Sequence, residues 1–108
     1  MKKEFFGKEI IMEAGCRQEL TYYILTDSVR EEYCDLIVYG VEIDRVLTHK
    51  NGKTERDKKI IPDLFFVKEE AEEFLRKISQ NKVTPVELKL AVRDYIGEQL
   101  QIKNVESI

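Results

Sequence analysis

The chain has 108 residues, with 18 Lys and Arg against 21 Asp and Glu, one His and two Cys. That length supports one domain around a single hydrophobic core. The net charge of −3, with basic residues interleaved among acids, argues against nucleic acid as a partner, because phosphate binding needs a concentrated basic surface. No apolar run approaches the roughly 20 residues that cross a bilayer, so we also expect no membrane contact.

The first residues do not read as a secretory signal. A basic start is present, but Glu4 and Lys8 interrupt the apolar run that a signal peptide needs. We therefore expect a cytoplasmic protein. Cys16 and Cys34 have neither CxxC spacing nor a histidine cluster beside them, so we expect two free thiols, no metal site and no cofactor.

Strand-like patterns fill the chain up to about residue 62, and helix-like patterns follow. This order predicts an α+β fold: an antiparallel β-meander of three to four strands followed by a C-terminal two-helix hairpin packed on one sheet face. The predicted divisions of this single domain are an N-terminal arm or edge strand (1–16), the β-meander (17–62), the helical hairpin (63–100) and a tail (101–108).

The segment from Tyr33 to Asp44 is the longest predicted strand. Its odd positions carry the larger side chains, among them Tyr39, Val41 and Ile43, and this set is the better candidate for the core face. The even positions are apolar up to Gly40 and acidic after it. The second face is therefore partly apolar as well, at Leu36 and Val38.

The Asn51-Gly52 pair favours a two-residue hairpin of type I′, since both residues tolerate positive φ. With that turn the numbers of paired residues sum to 103. The pairs would be Ile43 with Ile60, Asp44 with Lys59, and Arg45 with Lys58, the last an unfavourable contact between like charges.

Two helices are predicted after Pro62. Asp63 is expected to cap the first, whose apolar stripe contains Leu64, Val67, Ala71, Phe74, Leu75 and Ile78. The segment Thr84-Pro85-Val86-Glu87 is a capping box that begins the second helix. That helix has a main stripe through Leu88 and Tyr95, and a second stripe in which Val86 and Leu90 lie one turn apart.

The chain resembles a family of small uncharacterised Firmicute proteins, a domain of unknown function. The resemblance lies in Tyr22 to Leu25, in the Tyr39 to Ile43 strand, and in the Val83 to Leu88 helix start followed by Val92 to Tyr95, and it covers about residues 17–98. Phe65-Phe66-Val67 and Glu87 depart from it, standing where polar residues and His are typical. The resemblance implies an architecture and no mechanism.

Catalytic constellations are weak in this sequence. His49, the only histidine, falls at the predicted hairpin tip and reads as an exposed loop residue. No phosphate-cradling or nucleophile motif occurs. The strand tyrosines read as packing residues in preference to a base-stacking surface, because no basic groove accompanies them.

We therefore expect a protein that is not an enzyme but an interaction or regulatory module, in the form of a homodimer. Its candidate interaction surface is Leu36, Val38, Val86 and Leu90. These apolar side chains are expected to stay exposed if the helices cover only one face of the sheet. Two alternatives stay open. One is a small-ligand pocket lined by Tyr39, Phe74 and Tyr95. The other is an enzyme that uses Glu42 and Asp94.

Overall fold

The computed structural model describes residues 1–106, with side chains up to residue 100. Four antiparallel strands lie in the order β1-β2-β3-β4, so the predicted α+β meander is confirmed and residues 2–13 form its edge strand. The elements are β1 (Lys2–Glu13), β2 (Cys16–Arg30), β3 (Asp35–Thr48), β4 (Thr54–Phe65), α1 (Lys68–Gln80), a 3-10 turn (Pro85–Glu87) and α2 (Leu88–Glu106). Helix α2 continues to Glu106, so residues 101–106 of the predicted tail (101–108) are helical. Residues 107–108 lie outside the described part.

One face of the sheet packs against the helices. The odd positions of β3 lie on this face, as the alternation predicts, and the even positions of β2 pair with them. Both helices contribute to the same core, with α1 crossing all four strands. The fully or nearly buried members are Leu20, Tyr22, Ile24, Val41, Ile43, Ala71, Phe74, Leu75, Ile78, Leu88 and Tyr95.

Rings and one buried hydroxyl join the helices to the sheet. Phe65, Phe74 and Tyr95 contact each other at ring-centroid distances of 5.1 to 5.9 Å. The hydroxyl of Tyr22 donates to the backbone oxygen of Val83 over 2.8 Å. Burial raises the pKa of Tyr22 well above its ordinary value, so the hydroxyl stays a donor. The loop between α1 and α2 is thereby bonded to the centre of the sheet.

The β3–β4 hairpin differs from the sequence prediction by one residue. Gly52 N donates to His49 O over 2.9 Å, and Gly52 alone in the loop has positive φ, at +86°. This is a three-residue loop, a type I turn closed by a left-handed glycine. Paired numbers therefore sum to 102, and Arg45 faces Asp57, with Nη1 to Oδ1 at 2.9 Å. The predicted clash of Arg45 with Lys58 does not occur.

The end of β4 was also predicted wrongly. The strand continues past Pro62 to Phe65, and Asp63 lies inside it with φ +56° and caps no helix. Helix α1 begins at Lys68, after Val67, with no side-chain cap. Between the Val41–Ile61 and Tyr39–Phe65 pairs, three residues of β4 oppose Gly40 alone, which forms a bulge.

The start of the last helical segment is confirmed. Thr84 N donates to Glu87 Oε1 over 3.1 Å, and the Thr84 hydroxyl donates to the same oxygen over 2.7 Å. These hydrogen bonds hold the pKa of Glu87 below its ordinary value. Pro85 opens a single 3-10 turn, from which α2 continues.

Gly40→Ala is expected to destabilise the fold by about 2 kcal/mol, because a Cβ there would lie 2.5 Å from Ile61 O and 2.7 Å from Pro62 Cα. Urea denaturation measures this change. The matched control is Gly97→Ala in α2, where no atom lies within 4 Å, and it should stabilise by roughly 0.5–1 kcal/mol. Equal stability of the Gly40 variant and the wild type would contradict the close approach of β4.

Candidate interaction surface

The sheet face opposite the helices, here called the open face, carries no helix within residues 1–106. Near Gly40 the backbone of β4 approaches this face, and Leu25 and Val38 on it are buried. Directly paired residues of antiparallel strands share a face, so four rungs of this face follow from the register. They are Phe5–Tyr23–Glu42–Ile60, Lys8–Thr21–Asp44–Lys58, Ile10–Glu19–Val46–Arg56 and Met12–Arg17–Thr48–Thr54.

A charged cluster occupies the middle of the open face. Glu42 is only 2% exposed, although no helix covers it. Lys3, from the edge strand, donates its Nζ to Glu42 Oε2 over 2.7 Å and lies 4.2 Å from the centroid of the Tyr23 ring. The same Nζ is 3.9 Å from Asp44 Oδ2. Lys3 therefore extends across β2 and satisfies an acid on β3.

The two carboxyl groups titrate as a pair. Burial, followed by the hydrogen bond and the charge of Glu42, raises the pKa of Asp44 to about 6. For Glu42, burial also acts to raise the pKa, but the hydrogen bonds with Asp44 and Lys3 outweigh it and lower the pKa. Asp44 Oδ1 is buried without a donor. One proton shared by the pair removes the repulsion between two neighbouring carboxylates.

This cluster is not arranged as a metal centre. Within the described residues, no group of three or more His, Cys, Asp or Glu side chains is placed to hold a metal ion. The groups that the open face does present are ion pairs and apolar side chains. The cations Lys3 and Lys58 face the acids from both edges of the sheet.

Apolar side chains emerge on the β1 side of the open face. Phe5 is 64% exposed and Met12 65%, with Ile10 between them at 44%. Phe5 contacts Tyr23 edge to face at a centroid distance of 6.4 Å. These residues alternate with Phe6 and Ile11, which pack on the core from the other side of the strand. β1 is thus apolar on both faces, and only one of them is covered by the helices.

The residues predicted as the interaction surface do not form one surface. Val38 is 4% exposed, which corrects the expectation that it remains open to a partner. Leu36 lies on the open face near the β2–β3 loop, whereas Val86 and Leu90 are exposed on the helical layer, on the other side of the sheet. Whether any of the four binds a partner stays a prediction.

Phe5, Ile10 and Met12 were missed in the sequence. The doublets Phe5-Phe6 and Ile10-Ile11 fit neither a helix nor a strand with one apolar face. This pattern is the signal of a strand with apolar side chains on both faces. A doublet in a strand places one side chain on each face.

The structure does not assemble the two alternative sites as predicted. Phe74 and Tyr95 pack ring to ring in the core, where Tyr39 is also packed, and a shallow cavity of about 180 Å³ lined by Phe74 and Tyr95 does not include Tyr39. A partly open groove of about 390 Å³ lies beside them, with Phe65, Tyr95, Glu70, Glu73, Ile96, Gln99 and Leu100 along its walls. Glu42 and the exposed Asp94 lie on opposite sides of the sheet.

The remaining reactive side chains stand apart from each other. His49 lies in the β3–β4 loop, with Nε2 3.5 Å from Glu55 Oε2. Cys16 and Cys34 are both free thiols, and Cys34 is exposed in the β2–β3 loop.

Residues 1–98 match the family described as a family of unknown function, DUF6514. The chain belongs to that family. The match confirms the resemblance to a domain of unknown function and extends it to β1, which the motifs of the sequence did not cover. No curated protein and no solved structure matches the DUF6514 chain. Across residues 1–106, neither helix is long and apolar enough to span a membrane.

Asp44→Asn is expected to stabilise the fold by about 1 kcal/mol at pH 7.5 and to have little effect at pH 4. The pKa of Asp44 is about 6 when folded against an ordinary 3.8, so the folded state holds this proton more tightly and stability falls as the pH rises between these values. Asparagine removes the titration. Thermal denaturation at several pH values measures the difference.

Asp57→Asn is the matched control, since it removes an exposed partner of Arg45 from the neighbouring strand. It should give no gain at pH 7.5. A stability gain in Asp44→Asn that is the same at both pH values would contradict the paired titration.

Proposed function

We propose that this DUF6514 protein is a non-enzymatic protein-interaction or regulatory module that works as a homodimer. The observation that carries the proposal is the apolar row of Phe5, Ile10 and Met12 along the edge strand, which no other element of residues 1–106 covers. Single exposed apolar residues are ordinary, but several along one face of an edge strand, interrupted here by Lys8 alone, are typical of a contact surface.

The energetics of the row support a second polypeptide as its partner. Complete burial of one large apolar side chain stabilises by roughly 1.5–3 kcal/mol. In a symmetric dimer every such residue is buried twice, once from each copy. Ile10 and Met12 alone would then contribute four side chains to a dimer contact.

The positions of the polar groups support a role without catalysis. The carboxylate of Glu42 is already bonded to Lys3, and its predicted companion Asp94 lies on the other layer. The free thiols Cys16 and Cys34 fit the reducing conditions of the cytoplasm, which is where we place the protein.

A second candidate function is the binding of a small ligand in the groove beside Tyr95. Its walls combine the apolar surfaces of Phe65 and Ile96 with the carboxylates of Glu70 and Glu73. That chemistry favours an amine with an apolar body. The groove is open along one side, so we rank this function below the interaction module.

Sedimentation velocity over a concentration series tests the homodimer. The wild type is expected to dimerise, and the double substitution Ile10→Gln with Met12→Gln should weaken the dimer at least about tenfold, since it removes roughly 1.4 kcal/mol or more of apolar contact. The matched control is Val86→Gln with Leu90→Gln, which removes two exposed apolar side chains from the helical layer.

The control variant should dimerise like the wild type. If the Val86/Leu90 variant dissociates and the Ile10/Met12 variant does not, the dimer contact lies on the helical layer and the proposed surface is wrong. A wild type that remains monomeric at every concentration would overturn the homodimer.

A further inference from the structure

We propose that two copies join edge to edge through β1, antiparallel across a twofold axis, with Ile10 opposite Ile10 of the second copy. The four-stranded sheets would then form one sheet of eight strands. This inference deepens the proposed function, because it rests on the homodimer and names its interface and register.

The two edges of the sheet differ in how well they are protected from strand pairing. β4 carries Arg56, Lys58 and Lys59, and its far end is bent by Pro62 and the bulge at Gly40. Charged side chains, proline and bulges are the usual features that prevent an edge from pairing. The second half of β1 also carries charged residues, Lys8, Glu9 and Glu13, but it has no proline or bulge, and its centre is the apolar run Ile10 to Met12. β1 is therefore the edge that can accept another strand.

The free part of β1 has definite ends. A bulge at Phe6 interrupts the register between Phe5 and Gly7. The strand ends at the Ala14-Gly15 turn, where both residues have positive φ. Between these points Gly7 to Glu13 pairs regularly with β2, seven residues whose centre is Ile10.

Charge then selects the register. Across a twofold axis perpendicular to the sheet, paired residues share a face, so the sum of their numbers is even. A sum of 16 opposes Lys8 to Lys8, 18 opposes Glu9 to Glu9, and 22 opposes Glu9 to Glu13. A sum of 24 avoids like charges but pairs only residues 11–13. Among the registers that pair at least five residues of this stretch, only a sum of 20 avoids like charges, and its pairs are Gly7–Glu13, Lys8–Met12, Glu9–Ile11 and Ile10–Ile10.

This register has a consequence for the open face. The axis is perpendicular to the sheet, so both helical layers lie on one side and both open faces on the other. Ile10 of each copy then lies between Lys8 and Met12 of the same strand and faces its equivalent across the axis. The two Ile10 side chains contact each other at the centre of the eight-stranded sheet, and Met12 of each copy packs against the aliphatic part of Lys8 of the other copy.

Cysteine cross-linking of the full chain tests the register. In a background with Cys16→Ser and Cys34→Ser, Ile10→Cys is oxidised with glutathione disulfide and the products are separated on a non-reducing gel. Opposed residues have Cα atoms about 4.5–5.5 Å apart, within reach of a disulfide. We expect a covalent dimer to form at least tenfold faster than with Met12→Cys, the matched control.

The control lies on the same face of the same strand and is more exposed than Ile10. In the proposed register the two copies of Met12 are four residues apart along the strand, about 14 Å, beyond the span of a disulfide. A mixture of Glu9→Cys and Ile11→Cys proteins provides a second measurement. It should give the mixed dimer faster than either variant alone gives its own, and it does not depend on substitution of Ile10.

The outcomes separate this inference from the proposed function. If the protein dimerises in sedimentation but Ile10→Cys cross-links no faster than Met12→Cys, the edge register is wrong and the homodimer stands. Faster cross-linking of Met12→Cys would also overturn the register. If the wild type is monomeric and none of the variants cross-links, both the register and the homodimer are wrong.

Discussion

The structure depends on one constraint: two helices cover a four-stranded sheet on one face only. The apolar side chains of β2 and β3 on that face, among them Tyr22 and Val41, are sealed by α1 and the first turns of α2. The Tyr22 hydroxyl fixes the helical layer by its bond to Val83 O. The other face carries no helix within residues 1–106. Leu25 and Val38 are buried on it, and its remaining part has a charged centre around Glu42 and exposed apolar side chains on β1.

The charged centre also explains why β1 is held differently along its length. Its first half is bonded twice, through Lys3 to Glu42 across the open face and through Glu4 to Lys68 of α1, with Nζ to Oε2 at 3.2 Å. Its second half, Gly7 to Glu13, has, among the described residues, no side-chain bond beyond the neighbouring strand. It is attached through its pairing with β2, the Lys8–Glu19 ion pair at 3.1 Å and the packing of Ile11. The bulge at Phe6 separates the two parts. The first half of β1 is held by side-chain bonds, and the second half is a regular strand without a bulge. The second half therefore presents a defined edge to a second strand.

The sequence was informative where structure is determined locally. Alternation along β3 identified the core face, and the Thr84–Glu87 box identified a helix start, because both patterns report on residues that are near neighbours in the chain. The hairpin prediction was wrong by one residue, since Asn51-Gly52 is compatible with two loops: a type I′ turn with positive φ at both residues, and the observed three-residue loop with positive φ at Gly52 alone. The charge pairs found in the structure, such as Arg45 with Asp57, agree with the observed loop.

Other features depend on contacts distant in sequence. Asp63 was assigned as a helix cap, but β4 bulges over Gly40 and carries Asp63 into the strand, a consequence of tertiary packing that no local pattern encodes. Glu42 is similar: its burial requires Lys3, 39 residues away. The exposed row on β1 could not be identified from the doublets Phe5-Phe6 and Ile10-Ile11 alone. Which member of each doublet is exposed depends on which sheet face the helices cover.

Hydrogen exchange at increasing protein concentration tests the central claim, that β1 is an edge completed by a second copy. Amides that point outward from an edge strand gain partners only when another strand pairs with it. Exchange within residues 7–13 should slow as concentration rises, while exchange within residues 54–61 of β4, the protected edge, should not change. Exchange within residues 7–13 that is independent of concentration, in a protein that sediments as a dimer, would contradict the account.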